Sequence, residues 1–175
     1  LVGFANFGRM FTQDPLFWKS LYVTAYYTFL SVPAVIVSAF LVATLLNQEV
    51  KGLAVFRTIF YLPSVVPAVA NAVLWLWLFN PDFGLLNTLL GSIGIRKSLW
   101  IYDEATVLPS LALMSVWGIG NTMIIFLAGL QGVPRQLYEA AEIDGANFIQ
   151  RWLYVTLPMV SSVIFFNLVM GLIGT

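Results

Sequence analysis

Long apolar runs alternate with short polar stretches along this chain. Residues 21–46 hold no charged side chain. As a helix they would reach roughly 39 Å, enough to cross a hydrocarbon core of about 30 Å with some tilt. Pro33 lies inside the run and is expected to bend it; neighbouring helices and hydroxyl side chains can take up the carbonyl it frees. A polar connection follows at 47–57, with Glu49, Lys51, Gly52 and Arg57. Residues 58–79 predict a second span containing Pro63, Pro67 and Asn71, stopped by the turn chemistry of Asn80-Pro81-Asp82-Phe83-Gly84. Residues 85–104 read as a loop with Arg96-Lys97, and with Trp100 and Tyr102 close to the next membrane entry. Residues 105–130 predict a third span, with Pro109 near its start and Gly118-Ile119-Gly120-Asn121 at its middle. Residues 131–158 are polar and helical in pattern. The last run, 159–175, opens a fourth span but is shorter than the about 20 apolar residues a crossing requires.

The first twenty residues are mixed. Phe4, Phe7, Phe11, Phe17 and Trp18 alternate with Arg9, Asp14 and Lys19, a pattern suited to a membrane–water interface. Asp14-Pro15 is a helix start, with Asp as N-cap and Pro at the first helical position. There is no initiator Met and no basic leader before the first apolar residues. The expected architecture is therefore an all-α, polytopic transmembrane helical bundle, an internal fragment with three full spans and the start of a fourth.

Composition points the same way: 60% of residues are hydrophobic and 9% charged, where a soluble domain carries about a quarter charged. So few charges leave too little polar surface to face water on every side; a bilayer removes that requirement. The net charge is zero, so no basic footprint suggests a nucleic-acid partner. The chain has no Cys and no His, which removes disulfides, Cys-His and Ser-His-Asp nucleophile sets and the common zinc sites. Orientation does not follow from charge, because Lys51, Arg57, Arg135 and Arg151 on one side balance Arg9, Lys19, Arg96 and Lys97 on the other.

The segment from 134 to 158, PRQLYEAAEIDGANFIQRWLYVTLP, predicts two short helices at a membrane surface. Pro134 suits the first turn of one helix, on which Leu137, Tyr138, Ala141 and Ile143 recur at helical spacing. Asp144-Gly145 is a break, with Gly145 able to take the left-handed conformation that ends a helix. A second helix is expected over about 146–154, and Leu157-Pro158 marks entry to the next span. Ala140 and Ala141, beside Glu139 and Glu142, make a thin helix face that can approach another backbone closely, as a helix seated in a partner's groove does.

This pattern resembles the cytoplasmic loop of the permeases of ABC importers: E-A-A, three residues, G, nine residues, I, one residue, L-P. The chain has Glu139-Ala140-Ala141, Gly145, Val155 in the Ile place and Leu157-Pro158. Other stretches resemble the carbohydrate-uptake branch of that family: Phe56-Arg57-Thr58, 62–67, 77–87, 126–131 and 137–146. The similarity runs from about Asp14 to Thr175 and implies a MetI-like permease fold.

The resemblance implies a subunit of a bacterial inner (cell) membrane importer. Its loop, with Glu139, Ala140, Ala141, Asp144, Gly145, Leu157 and Pro158, would dock on separate ATPase subunits, two per transporter. Glu139 would supply a charged contact, the alanines close fit and Gly145 the turn. A second homologous permease, as a heterodimer, and an extracytoplasmic solute-binding protein would complete the assembly. ATP and Mg would be held by the ATPase, since this chain has no G-x-x-x-x-G-K-[ST] phosphate loop and is expected to bind no cofactor itself. The implied substrate is a sugar or glycerol-3-phosphate-like solute. Its implied path near the bilayer midplane points to Ser115, Trp117, Gly118, Asn121, Thr122, Gly171 and Thr175. Asn71 and Asn167 are lesser candidates, and Trp75 and Trp77 fit an interfacial belt better than a sugar platform. The rival readings are a secondary transporter and a permease for a non-sugar solute. The first commonly carries ionisable residues within its spans, and the runs 21–46, 58–79 and 105–130 have none.

Overall fold

A computed structural model describes residues 3–48 and 52–175, and the described residues are helical almost throughout. The order is α1 Ala5–Gln13, α2 Pro15–Leu46, α3 Leu53–Tyr61 with a 3-10 turn Leu62–Val65, α4 Ala68–Leu78, α5 Leu85–Ser92, a 3-10 turn Trp100–Tyr102, α6 Val107–Trp117, α7 Gly120–Gln131, α8 Arg135–Ile143, α9 Phe148–Arg151, a π-helical turn Trp152–Thr156, α10 Leu157–Met159 and α11 Ser161–Gly174. Glu49 and Lys51 of the 47–57 connection lie outside the described residues.

α2 is the one described helix long and apolar enough to cross a membrane unaided. It starts where Asp14-Pro15 predicts, with the Asp14 carboxylate accepting from the Leu16 amide at 2.9 Å. It therefore begins six residues before the charge-free run, and it continues through Pro33 without a break. The Arg57 guanidinium donates to the Leu46 carbonyl at 3.3 Å, a cation set where the helix dipole leaves negative charge.

The other expected spans are bent pairs. Leu53–Val65 and Ala68–Leu78 meet at 97°, Val107–Trp117 and Gly120–Gln131 at 52°, and Phe148–Met159 and Ser161–Gly174 at 64°. Counting each pair as one span gives up to four. The single span expected at 58–79 is thus a helix from Leu53, a sharp turn and a second helix. Val66 precedes Pro67 and is pushed to an extended conformation (φ −66°, ψ 128°), as the residue before a proline prefers. The span expected at 105–130 breaks at Gly118-Ile119. The one expected at 159–175 breaks at Val160 and continues a helix that starts at Phe148.

The core lies where α2 meets α7. Ala39 and Ala43 are fully buried one turn apart, with Phe40 and Leu46, against Met123, Phe126, Leu127 and Leu130. Small residues on that stripe let the two backbones approach, the usual device where lipid supplies no hydrophobic drive between helices. Gly120 does the same at the bend: a Cβ there would stand 2.9 Å from the Tyr61 Cα and 2.8 Å from the Ser64 hydroxyl. Outward faces are apolar, with Phe29, Leu41, Leu45, Phe165 and Ile173 exposed, more apolar surface than a water-soluble monomer presents in one place.

Residues 85–104, expected to be a loop, contain α5, which packs on α4. Its short length, Gly91 within it and the flanking Gly84 and Gly94 hid it in the sequence. The turn before it is as predicted: Asn80 Oδ1 accepts from the amides of Asp82 and Phe83 at 2.9 and 3.1 Å. Asn87 on α5 is 1% exposed, and its amide is fully used. Nδ2 donates to the carbonyls of Pro81 and Ser98, and Oδ1 accepts from the Ser98 amide and the Trp100 indole, all within 2.9–3.0 Å. This clamp holds Trp100 at φ +50°, a conformation few side chains adopt, with its ring stacked on Phe79 at 5.0 Å. Replacing Asn87 with Ala would strand the Ser98 and Trp100 donors. Hydrogen exchange of the detergent-solubilised protein should then speed up across 95–102, and stability should fall by about 1–3 kcal/mol.

Candidate functional site

Two regions concentrate polar groups. The first is an open cleft of about 440 Å³ between α2, α6, α7 and α11. Its walls carry Tyr27 and Ser31 from α2, Ser115 from α6, Asn121 and Thr122 from α7, and Asn167, Gly171 and Thr175 at and after α11. Hydroxyls join the elements around it: Tyr27 Oη and Ser115 Oγ are 2.8 Å apart, and Thr28 Oγ1 donates to Thr175 Oγ1 at 3.1 Å. Asn167 donates back to the Val163 carbonyl at 2.9 Å. Ser31 is 2% exposed and its hydroxyl has no protein partner. A buried polar atom without a partner costs stability, so one that borders a cleft is available to whatever enters it. The walls are hydroxyl, amide and apolar, with no charged side chain among the residues that form them.

Ser115, Asn121, Thr122, Gly171 and Thr175, singled out from sequence, meet in this cleft. Trp117 and Gly118 do not. Trp117 packs edge-on against Trp75 at 5.8 Å and borders a separate apolar recess with Phe60, Pro63 and Val116. Gly118 is exposed at the α6–α7 bend. Trp75, expected in an interfacial belt, is buried against Phe79 and Trp117; Trp77 is exposed. Asn71 lies outside the cleft, its Oδ1 buried without a partner. The sequence reading missed Tyr27 and Ser31. Their four-residue spacing on a predicted helix was the available signal, hidden in a long run read only for apolarity.

The second region is the pair α8–α9. α8 starts at Arg135, with Pro134 as the extended residue before it rather than in its first turn. It ends as expected at Asp144-Gly145. The Ala146 amide donates to the Ala141 carbonyl at 2.9 Å and the Gly145 amide to Glu142 at 3.0 Å, with Gly145 at φ +78°. This is a Schellman end, which calls for a left-handed residue. Asn147 then caps α9 reciprocally with Gln150: Asn147 Oδ1 accepts from the Gln150 amide at 3.0 Å and the Asn147 amide donates to Gln150 Oε1 at 2.8 Å. The Asn-x-x-Gln spacing was visible in the sequence.

Tyr138 and Ala141 turn inward and are half-buried, whereas Glu139, Ala140, Asp144 and Gly145 are exposed. Ile143, which recurs with them at helical spacing, is 87% exposed. Phe148, Ile149 and Tyr154 are also exposed. Glu142 and Arg151 form an ion pair across the turn. Leu157 packs on the α2–α7 core, Pro158 is exposed, and the chain bends at Val160 directly after. Among the described residues no group of His, Cys, Asp and Glu could hold a metal ion.

An all-α bundle of one long apolar helix and three bent apolar pairs, around a polar cleft, is the architecture of a polytopic permease. The chain belongs to the family of binding-protein-dependent transport system inner membrane components, whose pattern matches residues 8–175. It is 45% identical over 99% of its length to the probable ABC transporter permease protein YesP of Bacillus subtilis (strain 168), of which it covers 56%. It is 38% identical to the sn-glycerol-3-phosphate transport system permease protein UgpA of Pectobacterium atrosepticum, with 98% of this chain and 58% of that one covered. Identity to the trehalose/maltose transport system permease protein MalF of Thermococcus litoralis is 33%, with coverages of 97% and 57%. A chain in the crystal structure of a bacterial alginate ABC transporter, in complex with alginate pentasaccharide-bound periplasmic protein, superposes with a TM-score of 0.86 at 27% identity, covering 97% of this chain and 59% of that one. The chain thus spans little more than half the length of these relatives.

No atom lies within 4 Å of where a Gly145 side chain would start, so backbone conformation alone decides what that position accepts. Asn should be tolerated, Ala should cost about 1–2 kcal/mol of loop stability and Val more. Hydrogen exchange over 135–151 should accelerate in that order.

Proposed function

We propose that this chain is the permease subunit of an ATP-driven importer, with α8–α9 as the element that couples it to a separate ATPase and the hydroxyl-lined cleft as part of the solute path. The observation that carries this reading is the α8–α9 pair. It leaves Glu139, Ala140 and the Gly145 turn exposed, together with Ile143, Phe148 and Ile149. Exposed apolar side chains around a thin helix face suit a helix received in a partner's groove. The residue spacing Glu139-Ala140-Ala141, Gly145, Leu157-Pro158 supports the same assignment.

In this reading two ATPase subunits hold ATP and Mg and close on two permease loops. A second, homologous permease completes the path, and an extracytoplasmic binding protein delivers the solute. The membrane is the bacterial inner membrane, crossed several times, with α8–α9 on the cytoplasmic side. The relatives' names span sugars, oligosaccharides and sn-glycerol-3-phosphate. Within that range the cleft favours an uncharged, hydroxyl-rich solute, because its hydroxyls and amides offer donors and acceptors while no Lys or Arg stands ready for a phosphate.

The test is capture of the full-length protein in mild detergent, with subunits counted by native mass spectrometry. Two ATPase copies should accompany each pair of permeases. Replacing Glu139 with Lys, or Gly145 with Val, should lower ATPase recovery by about tenfold or more. A membrane protein recovered alone or self-associated, indifferent to both changes, would overturn the reading and favour a secondary transporter.

A further inference from the structure

α8 stands at the edge of the bundle: it lies against α9 and the π-helical turn Trp152–Thr156, and the half-buried Tyr138 also packs on the α2–α7 core cluster. Side-chain ties cross from α8 to the segment 151–156, and two of them are clear. One is the Glu142–Arg151 ion pair, whose Glu is 59% exposed, so solvent and salt weaken it. The other is between hydroxyls: Tyr138 Oη and Thr156 Oγ1 are 3.0 Å apart. Thr156 is 5% exposed and Tyr138 half-buried, so this tie is shielded from both.

The far end of the second tie is embedded in the core. Thr156 closes the π-helical turn, a wider winding that is rare and concentrates at functional sites. Trp152, which opens the same turn, packs its ring against Phe40 of α2 at 5.6 Å, and Phe40 packs against Phe126 of α7 at 5.3 Å. Val155 and Leu157 lie against the same cluster. The turn therefore touches the surface helix through Tyr138 and the two principal core helices through Trp152. It is followed by the 64° bend at Val160 that opens α11, a wall of the cleft.

We propose that the Tyr138–Thr156 hydroxyl pair is the positioning contact through which displacement of α8 reaches the Trp152–Thr156 turn. The proposal rests on the reading of α8–α9 as the coupling element. Tyr138 sits one residue before Glu139 but faces inward, so it has a role distinct from that of the docking face. Without the tie, α8 would rest on the core through the Tyr138 ring alone, and a pull on Glu139 and Ala140 would reach the turn only through Gly145, whose surroundings are open. With it, α8 and the turn move as one body.

The test uses the full-length permease purified with its second permease and ATPase and reconstituted with its solute-binding protein. The variants are Tyr138→Phe, Thr156→Val, the double variant and Thr156→Ser. Uptake per ATP hydrolysed should fall about fivefold in each of the first two, the scale of one neutral hydrogen bond. It should fall no further in the double variant and should recover in Thr156→Ser. Hydrogen exchange read with and without ATP and vanadate adds a readout that folding alone does not move. In the wild type the nucleotide should change protection in both 135–143 and 152–157; in Tyr138→Phe the change should stop at 135–143. Wild-type uptake per ATP in Tyr138→Phe, with the ATPase still captured, would overturn the proposal, as would losses that add in the double variant. A wild-type preparation that captures no ATPase would instead overturn the underlying reading of the loop, and this proposal with it.

Discussion

Ala39 and Ala43 on α2 set how closely that helix lies against α7, and most of the fold depends on that contact. With side chains no larger than a methyl at two successive turns, Met123, Phe126, Leu127 and Leu130 can reach across and fill the space. In an apolar surrounding such packing has to supply the stability that the hydrophobic effect supplies in water. Val160, Leu157 and Trp152 of the later segment lie on the same cluster, so the surface helices and α11 are placed by it too. Enlarging either alanine would separate α2 from α7 and move every element that leans on them.

Around that contact the chain bends only where its chemistry permits. Interrupting a helix leaves backbone groups without partners, which in hydrocarbon is costly. Here the interruptions fall at Val66-Pro67, at Gly118-Ile119 and at Val160, and each is bridged by short-range bonds. The Val66 amide reaches the Pro63 carbonyl, Gly118 reaches Ser115, and Val163 reaches Val160, at 3.0–3.3 Å. Hydroxyls do the corresponding work between helices, as in the Tyr27–Ser115 and Thr28–Thr175 pairs. The cleft is thus lined with the same neutral groups that join the helices. Ser31, a buried hydroxyl without a protein partner, marks where that joining stops.

Much of this was legible in the residues. A charge-free run announced α2, Asp14-Pro15 its first turn, Asn80-Pro81 the stop after α4, and Asp144-Gly145 the break after α8. Five of the seven residues chosen for a solute path converge in space: Ser115, Asn121 and Thr122 flank one break, and α11 brings Gly171 and Thr175 beside them. What remained hidden was direction. Apolarity is a sum along the chain and carries no information about a 97° turn inside it. The same blindness placed Trp75 at the membrane surface, although the α3–α4 fold turns its ring inward. Ile143 fitted the apolar period of α8 but points away from the bundle; periodicity marks a face without saying whether the body of the protein or a partner covers it. Tyr27 and Ser31 escaped notice because hydroxyls in an apolar run look like ordinary helix-joining residues until another helix is seen beside them.

The continuity of α2 through Pro33 has a mechanical consequence. A helix of 32 residues is a rod of about 48 Å. Near its last turns Phe40, Ala43 and Leu46 are gripped by the core; Tyr27 and Ser31 project into the cleft farther along. Such a rod does not dissipate a rotation at a joint, as the three bent pairs can. A tilt of about 5° about its gripped end would move the level of Tyr27, roughly 28 Å away, by about 2.5 Å. The molecule thus combines one stiff lever with three jointed arms. The stiff member is also the one whose hydroxyls face the cleft, so a small angular change at the core would be amplified into a change in the shape of the cavity.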